Sequence, residues 1–402
     1  MIKKLREEFD FTDFVWIFYV YFSYTFYVPT LSSRINLVNV FTYILPLIFI
    51  TKKVVLDNNR FVSIDIKKYF CLIWYAIFIL YEYIISEMGI MNESMWMLVK
   101  NNACIIFAMC YSIDSVTRFE KFLYDCAIGL MGFGIVAWIT SPVSTYGTLN
   151  FGGFPARQRN ITAYALGMAF TIFIYYFLKT RRRRELIYAL ICAVVTILTG
   201  SRKGLIQLML PFIVLLICQK DLKKFGKYII LLAVLGAVVL VILLNNSTFM
   251  EIYGERFMAI FEDSSETTDM SVITRNVLKV IGVMAFLENP IWGYGLGASW
   301  TLVERTGFSF VNYFHNNIIE ILTCGGIVGF ILYHWIIVKN LFVSFINRKK
   351  TLLHYVVLTI IITFLILSIG QVTVYSPHFT FYLYFIVQCG VYMKELEQEQ
   401  KM

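Results

Sequence analysis

Basic side chains in two of the polar stretches of the chain have a spacing suited to binding an anion. Arg202 and Lys203 lie in a turn bracketed by two glycines, and Arg275 precedes Lys279 by one helical turn. Guanidinium groups bind phosphate and pyrophosphate oxygens through a planar fork of N–H donors. Like charges one turn apart on a helix repel mildly, and an anion between them turns that repulsion into attraction. The pattern predicts a site for a phosphate-bearing ligand, the alternative being that each arginine extends to lipid phosphate.

Two further arginines, Arg157 and Arg159, end a loop that contains two glycines and a proline. They lie at the mouth of a long apolar run and are candidates for binding the same ligand. At Arg202, the start of the following apolar run adds unpaired backbone N–H groups and the positive end of a helix dipole. Lipid headgroups are again the alternative partners of these cations.

His315 is the histidine whose surroundings in the sequence suit proton transfer. An imidazole titrates near ambient pH and can therefore take a proton from an incoming hydroxyl group. Asn316 and Glu320 are one helical turn apart on the same face and extend this site as substrate-binding residues, together with Tyr294 of the glycine-rich stretch 289–297. The alternative is a histidine at the membrane interface whose nitrogens bind loop carbonyls.

The elements that must position these residues are membrane-spanning helices. The chain has 402 residues, 59% hydrophobic and 15% charged, with a mean hydropathy of +0.70, far from the composition of a soluble domain. Apolar runs long enough to cross roughly 30 Å of hydrocarbon predict about twelve spans. They are 14–31, 35–51, 69–88, 95–113, 122–141, 161–178, 185–200, 203–218, 228–245, 316–338, 354–374 and 377–393.

The basic residues predict the orientation of these spans. With the N-terminus in the cytoplasm, 25 of the 35 basic residues fall on the cytoplasmic side, as positive-inside topology requires. Both termini are then cytoplasmic, and the polar interval 246–315 is a large extracytoplasmic loop between spans nine and ten. Polar and charged residues within the spans lie mostly toward the same outer ends, which predicts a cavity open to the outside. They are Glu82, Glu87, Lys100, Arg202, Lys203, Gln207, Glu320 and Gln371.

The outer loop is predicted to contain short amphipathic helices. In Ser271–Leu287, apolar residues recur at a spacing near 3.6, while Arg275 and Lys279 lie on the other face. Pro290 disfavours helical dihedrals at the residue before it and should end this helix. The predicted fold is an all-α polytopic membrane protein in which residues 1–402 form a single integral membrane domain.

Other patterns lack the context that their chemistry needs. The glycines at 293 and 295 follow no strand, so they do not indicate a dinucleotide-binding fold. The acidic residues Glu262, Asp263, Glu266 and Asp269 lack the spacing of a divalent-ion site and predict a solvated loop. The eight cysteines lie in apolar runs without paired spacing and predict buried thiols. The histidines at 334, 354 and 378 are interpreted as structural. We expect no metal, no cofactor and no nucleic-acid partner.

Three stretches in order resemble the O-antigen polymerase and ligase superfamily (Wzy and WaaL proteins). They are Gly200-Ser201-Arg202-Lys203-Gly204, Asn289-Pro290-Ile291-x-Gly293-x-Gly295-x-Gly297 and His315-Asn316-x-Ile318-x-Glu320-x-Leu322-x-x-x-Gly326-x-x-Gly329. The resemblance covers roughly 157–330. It implies a metal-independent glycosyltransferase of the bacterial plasma membrane that uses a polyprenyl-diphosphate-linked donor. It also implies that Arg202 and Arg275 engage the diphosphate while His315 acts on the acceptor hydroxyl.

Within that superfamily, the leading hypothesis is a surface-polysaccharide polymerase, of the O-antigen or capsule type, that joins repeat units carried on undecaprenyl diphosphate. The alternative is an O-antigen ligase, which moves the glycan to a lipid A core or a protein. A different class, a lipid-linked oligosaccharide flippase, would show internal repeats and helices broken at the membrane midplane. The expected partners are the undecaprenyl-diphosphate-linked oligosaccharide and membrane lipid, with a chain-length regulator and a flippase of the same pathway as further candidates.

Overall fold

The computed structural model describes residues 10–26, 37–56, 65–86, 93–140, 159–199, 201–218, 245, 270–308 and 313–399. All regular structure in these ranges is helical, and they contain no strand. The helices are α1 (Phe11–Phe26), α2 (Leu37–Thr51), α3 (Phe70–Ile84), α4 (Glu93–Ser112), α5 (Val116–Ile139), α6 (Arg159–Thr180), α7 (Arg183–Leu198), α8 (Arg202–Cys218), α9 (Met270–Glu288), α10 (Ala298–Arg305), α11 (Asn317–Ile346), α12 (Leu352–Ser368) and α13 (Pro377–Glu399). The all-helical prediction is confirmed for this part of the chain.

Helices occur where the apolar runs predict them. Predicted spans one to eight and ten to twelve each coincide with a helix, whereas the ninth lies outside the described residues apart from Asn245. Within the described ranges, four helices are long and apolar enough to cross a membrane: Leu37–Val55, Val116–Ile139, Asn160–Thr180 and Asn317–Ile346. Lys203–Cys218 and Leu352–Ser368 are apolar but shorter. The chain is a helical membrane protein, while the total of twelve spans and the extent of the outer loop remain predictions.

The chain forms two compact units, each assembled from three separated segments. The first contains Met1–Pro29, Lys121–Thr267 and Phe345–Thr359, and the second contains Thr30–Glu120, Thr268–Ser344 and Ile360–Met402. The single integral membrane domain therefore remains a prediction. All eight cysteines are free thiols, seven buried and Cys104 half-buried, as the sequence predicts.

In the first unit, α6 is the most enclosed of the candidate spans. It packs along α7 and α8, and 83% of its apolar window is buried. A helix covered by protein on every side needs no polar face, which explains why the apolar residues of α6 run all around it. An ion pair supports the same unit, in which the partly exposed Lys121 places Nζ 2.6 Å from Oδ2 of the buried Asp13.

In the second unit, amide side chains connect helices that are otherwise apolar. Gln388 accepts the N–H of Cys71 at 3.1 Å and donates to the carbonyl of Lys67 at 3.0 Å, which ties α13 to the start of α3. Asn317 accepts the N–H groups of Thr373 and Val374 at 2.9 and 3.1 Å. The segment between α12 and α13 is thereby held against the start of α11.

Helix α11 is interrupted at Gly326, whose φ of 61° and ψ of −164° are not helical. The glycine-rich segment 289–297 fills the interruption with its own backbone. Its N–H groups donate to carbonyls before the break: Tyr294 to Thr323 at 3.1 Å and Gly295 to Cys324 at 2.7 Å. Its carbonyls accept N–H groups after the break: Pro290 from Ile327 at 2.8 Å and Ile291 from Val328 at 3.3 Å. Because unpaired backbone groups are very costly in a membrane, this pairing allows a spanning helix to be broken.

Two glycines are sterically required at this junction. A Cβ on Gly326 would overlap the carbonyl of Ile291, and a Cβ on Gly293 would overlap the carbonyl of Cys324. Both residues also have positive φ, 61° and 77°, which L side chains rarely adopt. The second and third stretches of the family resemblance therefore form one structural element.

Candidate functional site

Helix α9 carries two of the predicted anion-binding residues toward the protein. It spans Met270–Glu288 and ends before Asn289, close to the predicted Ser271–Leu287, with Pro290 preventing its continuation. Its buried face contains Leu278 and Ala285, and Arg275 and Lys279 flank that face half-buried. The two cations therefore turn inward.

The apolar stripe of α9 turns the other way. Val280, Met284 and Leu287 are 58, 62 and 68% exposed, and Ile273 and Val277 are also exposed. A helix of a water-soluble protein would bury this stripe, whereas a helix at a membrane interface presents it to lipid. Of the six residues in the predicted stripe, only Ile281 packs against the cluster of buried apolar side chains that joins α9, α10 and α11.

Close packing brings α9 onto the start of α11. Gly282 lies against Phe314 and Ile319, and its carbonyl accepts the hydroxyl of Thr323 at 2.9 Å. A Cβ on Gly282 would lie 2.9 Å from the Phe314 ring and overlap Ile319. This approach brings α9 beside the segment 313–316, which contains the predicted base.

Tyr313 connects Arg275 with His315. Its ring centroid lies 4.5 Å from that of His315. Burial raises the pKa of the Tyr313 phenol, a hydrogen bond with Gln371 lowers it, the charge of Glu320 raises it and the charge of Arg275 lowers it. Arg275 is thus close enough to act electrostatically on the residue that contacts His315. Tyr313 therefore contacts one of these two predicted site residues and lies within electrostatic reach of the other.

The backbone around His315 is fixed on both sides. His315 has a φ of 54°, in the left-handed region that residues other than glycine rarely adopt. On its C-terminal side, Asn316 caps α11, because its Oδ1 accepts the N–H groups of Ile318 and Ile319 at 2.9 and 3.2 Å. The carboxamide oxygen that the sequence assigns to substrate is therefore engaged with the helix end.

Glu320 lies beneath this segment, away from the surface. Its side chain is 0% exposed, and Oε2 accepts the N–H of Phe314 at 3.0 Å. Oε1 accepts the hydroxyls of Ser299 at 2.5 Å and Tyr375 at 3.0 Å. Direct contact with substrate, which the sequence assigns to Glu320, does not fit this enclosed position. The carboxylate instead connects α10, α11 and the segment before α13.

Tyr294 lies on the glycine-rich segment at the edge of the same cluster. Its hydroxyl donates to Glu288 Oε2 at 3.1 Å, and its ring packs against the apolar cluster. Its role in binding substrate remains a prediction.

The turn before α8 belongs to the first unit. The Ser201 hydroxyl accepts the N–H of Gly204 at 3.4 Å and donates to Asn160 Oδ1 at 2.9 Å. Gly204 has no room for a Cβ, because Ala163 and Thr196 would lie 2.8 and 2.9 Å away. This packing holds the start of α8, where Arg202 is the first helical residue and Lys203 is half-buried.

Several predicted residues lie partly or wholly outside the described part of the chain. Arg157 and the acidic residues 262–269 are outside it, and for Arg159 and Arg202 the structure describes the backbone only. Convergence of Arg202 with Arg275 and His315 therefore remains a prediction. The histidines interpreted as structural are buried, with exposures of 7% for His334, 0% for His354 and 5% for His378.

Three members of the site carry no signal in the sequence. Tyr313, Ser299 and Tyr375 lie in stretches without a motif, and they meet only because the chain brings 299, 313–320 and 375 together. The one indication was the polar character of Gln371 near the outer end of a predicted span, which is the hydrogen-bond partner of Tyr313.

Helices of membrane-spanning length, together with a tyrosine that contacts His315 and feels the charge of Arg275, define a helical membrane protein with a polar site. Residues 187–334 match the family model described as O-antigen ligase. The match contains Arg202, Arg275 and His315 and supports membership of the O-antigen polymerase and ligase superfamily, whose members are glycosyltransferase-like enzymes. No curated protein matches the chain.

Proposed function

We propose that this protein is a surface-polysaccharide polymerase that elongates a glycan carried on undecaprenyl diphosphate. The observation that carries the proposal is the grouping of Arg275, Tyr313 and His315 inside the segment that matches the O-antigen ligase family. The site faces the extracytoplasmic side of the plasma membrane, with both chain termini in the cytoplasm. This orientation is supported by the distribution of basic residues along the sequence.

In the proposed reaction, His315 takes the proton from a hydroxyl of the acceptor sugar. The hydroxyl oxygen then forms a bond to the anomeric carbon of the donor glycan, and the bond from that carbon to the diphosphate oxygen breaks. The bonding electrons leave with the lipid diphosphate, and the proton passes from the imidazole to water. Arg275, Lys279 and Arg202 stabilise the charge that develops on the diphosphate.

The leaving group explains why the reaction needs no nucleotide outside the cell. A glycosyl diphosphate is already activated, so the protein supplies cations for the departing charge and a base for the attacking hydroxyl. We further propose that the reaction needs no metal. Full transfer activity of the purified protein in excess EDTA is the expected result, and loss of activity restored by a divalent ion would contradict it.

A ligase would use the same donor site with another acceptor. Deleting the gene in the native host and separating the surface glycan on a gel distinguishes the alternatives. Single repeat units indicate a polymerase, whereas a bare acceptor with long lipid-linked chains indicates a ligase.

The flippase hypothesis gains one feature from the break in α11, because transporters use broken helices. That break, however, is filled by the backbone of segment 289–297. In transporters, by contrast, broken helices expose backbone groups to a substrate cavity. In the same deletion strain, loss of all external lipid-linked sugar would indicate a flippase and reject the polymerase.

A further inference from the structure

The carboxylate of Glu320 joins three segments that are far apart in the sequence. It accepts hydrogen bonds from Ser299 on α10, from Phe314 in the segment before α11, and from Tyr375 before α13. Oε1 accepts the hydroxyls of Ser299 and Tyr375, and Oε2 accepts the backbone N–H of Phe314. Glu320 and Ser299 are both 0% exposed, so water does not compete for these bonds.

The hydrogen bond from the Phe314 N–H to Glu320 bears directly on the candidate site, because Phe314 immediately precedes His315. The left-handed backbone of His315 is unfavourable for a residue with a Cβ and persists only where its surroundings enforce it. Glu320 holds the residue before His315, and the Asn316 cap holds the residue after it. The backbone from which the imidazole projects is therefore held on both sides.

Tyr375 extends this control to the glycine-rich segment. Its hydroxyl donates to Glu320 at 3.0 Å and accepts the N–H of Gly297 at 3.4 Å. Gly297 immediately precedes α10, which carries Ser299. One buried hydrogen-bond network thus connects the glycine-rich segment, the start of α11 and the backbone of His315.

We propose that Glu320 is a positioning residue, which orients His315 through the Phe314 amide and is itself oriented by Ser299 and Tyr375. This inference rests on the proposed role of His315 as the base. It assigns Glu320 no contact with substrate and predicts that its loss slows the transfer step while donor binding persists.

The informative substitutions follow from the chemistry of the groups that donate to Glu320, which include the Cys324 thiol at 3.9 Å from Oε1. In Glu320→Gln, the amide oxygen still accepts the Phe314 N–H, and the amide N–H₂ donates to hydroxyls that can rotate to accept it. In Glu320→Ala, the acceptor of the Phe314 N–H is lost. Tyr375→Phe removes one donor to Oε1 and leaves the Phe314 bond in place. Ser344→Ala is the matched control, because it removes a fully buried hydroxyl of the same unit whose partner is Met393.

The first measurement is the rate at which diethyl pyrocarbonate modifies His315 in the purified protein, followed by peptide mass spectrometry. Glu320→Ala should change this rate several-fold, while Glu320→Gln and Ser344→Ala stay close to the parent protein. His334, His354 and His378 are buried and serve as internal references. Unchanged His315 reactivity in Glu320→Ala would overturn the proposal.

The second measurement is transfer kinetics with a lipid-diphosphate-linked glycan donor. Glu320→Ala should lower kcat about tenfold to a hundredfold, as small displacements of a catalytic group do, with little change in KM for the donor. Glu320→Gln should restore most of kcat. If Glu320→Ala does not fold, the test passes to Tyr375→Phe. This variant must lower kcat and change His315 reactivity measurably, though by less than is predicted for Glu320→Ala. Parent-like values for both would overturn the proposal.

The two measurements also separate this inference from the proposed function. If His315→Ala retains full transfer, His315 is not the base and the proposed function fails. The reactivity of His315 in the Glu320 variants would still show whether Glu320 orients it.

Discussion

Ile327 donates its backbone N–H to the carbonyl of Pro290 at 2.8 Å, which joins two stretches that the sequence keeps 37 positions apart. This bond lies just after the break in α11, and its counterpart before the break runs from Gly295 to Cys324 at 2.7 Å. The glycine-rich segment 289–297 and the helix α11, which begins two residues after His315, are therefore folded as one element. A change in either should affect the position of the other.

We predict that Gly326→Ala and Gly293→Ala strongly destabilise the protein. Each substitution adds a Cβ that overlaps a carbonyl, at a position whose positive φ already disfavours any L side chain. Gly307→Ala is the matched control, since Gly307 has a φ of 71° but nothing within 4 Å of the added Cβ. The control should lose only the cost of a left-handed backbone, about 1–2 kcal/mol, and the two junction variants should lose more. Thermal unfolding in detergent measures the difference, and equal losses would contradict the account of the junction.

We predict that Arg275→Ala and His315→Ala each lower transfer by about 10²- to 10⁴-fold while leaving expression unchanged. In the proposed reaction, Arg275 stabilises charge on the diphosphate and His315 accepts the proton. Arg305→Ala is the control, because Arg305 is an exposed arginine of the same unit, at the end of α10. Chain length of the surface glycan and transfer by purified protein are both measured. Normal glycan length in either site variant would reject the assigned role.

We predict that Tyr313 makes the protein less stable at alkaline pH. Burial raises the pKa of the phenol above its ordinary value of about 10. The stability that this shift contributes is complete below the unfolded-state pKa and is lost as pH rises through the folded-state pKa. The unfolding midpoint of the parent protein should therefore fall more steeply above about pH 10 than that of Tyr313→Phe. Parallel curves for the two proteins would contradict this prediction.

We predict that Glu82→Gln leaves stability unchanged or increases it. Glu82 is 0% exposed on α3, packs against Gly325 and Gly329, and neither carboxylate oxygen has a hydrogen-bond partner among the described residues. Replacing a buried carboxyl group that has no hydrogen-bond partner with an amide of nearly the same shape is neutral or favourable, whereas removing a carboxyl group that accepts several hydrogen bonds is costly. Glu320→Ala, which removes a carboxylate that accepts from Ser299, Phe314, Tyr375 and Cys324, should be the less stable variant in the same thermal assay. A midpoint for Glu82→Gln below that of the parent protein would contradict this prediction and show that Glu82 has a stabilising role.

The helices and several of their ends could be predicted because local rules determine them. Apolar periodicity placed α9 within one residue at each end, and the restriction before Pro290 explained where it stops. The environment of its two faces was not predictable in the same way. Periodicity shows that the faces differ, but it does not show whether lipid or protein covers the apolar one.

The roles of Asn316 and Glu320 could not be predicted from their spacing. One turn apart, they suggested a shared substrate-binding face, yet the Asn316 side chain caps α11 and Glu320 is enclosed by Ser299 and Tyr375. Those partners are 21 and 55 positions away from Glu320. Contacts over such separations depend on the complete fold and leave no periodic pattern.

The orientation of α9 makes the bilayer part of the architecture around Arg275. Its apolar stripe and the Trp292 that follows it are exposed, while its cations are half-buried against the protein. Because lipid-facing helices adjust their tilt to the thickness of the bilayer, we expect membrane thickness to influence where Arg275 lies relative to Tyr313. We therefore expect lipid composition to affect the proposed reaction through the position of Arg275.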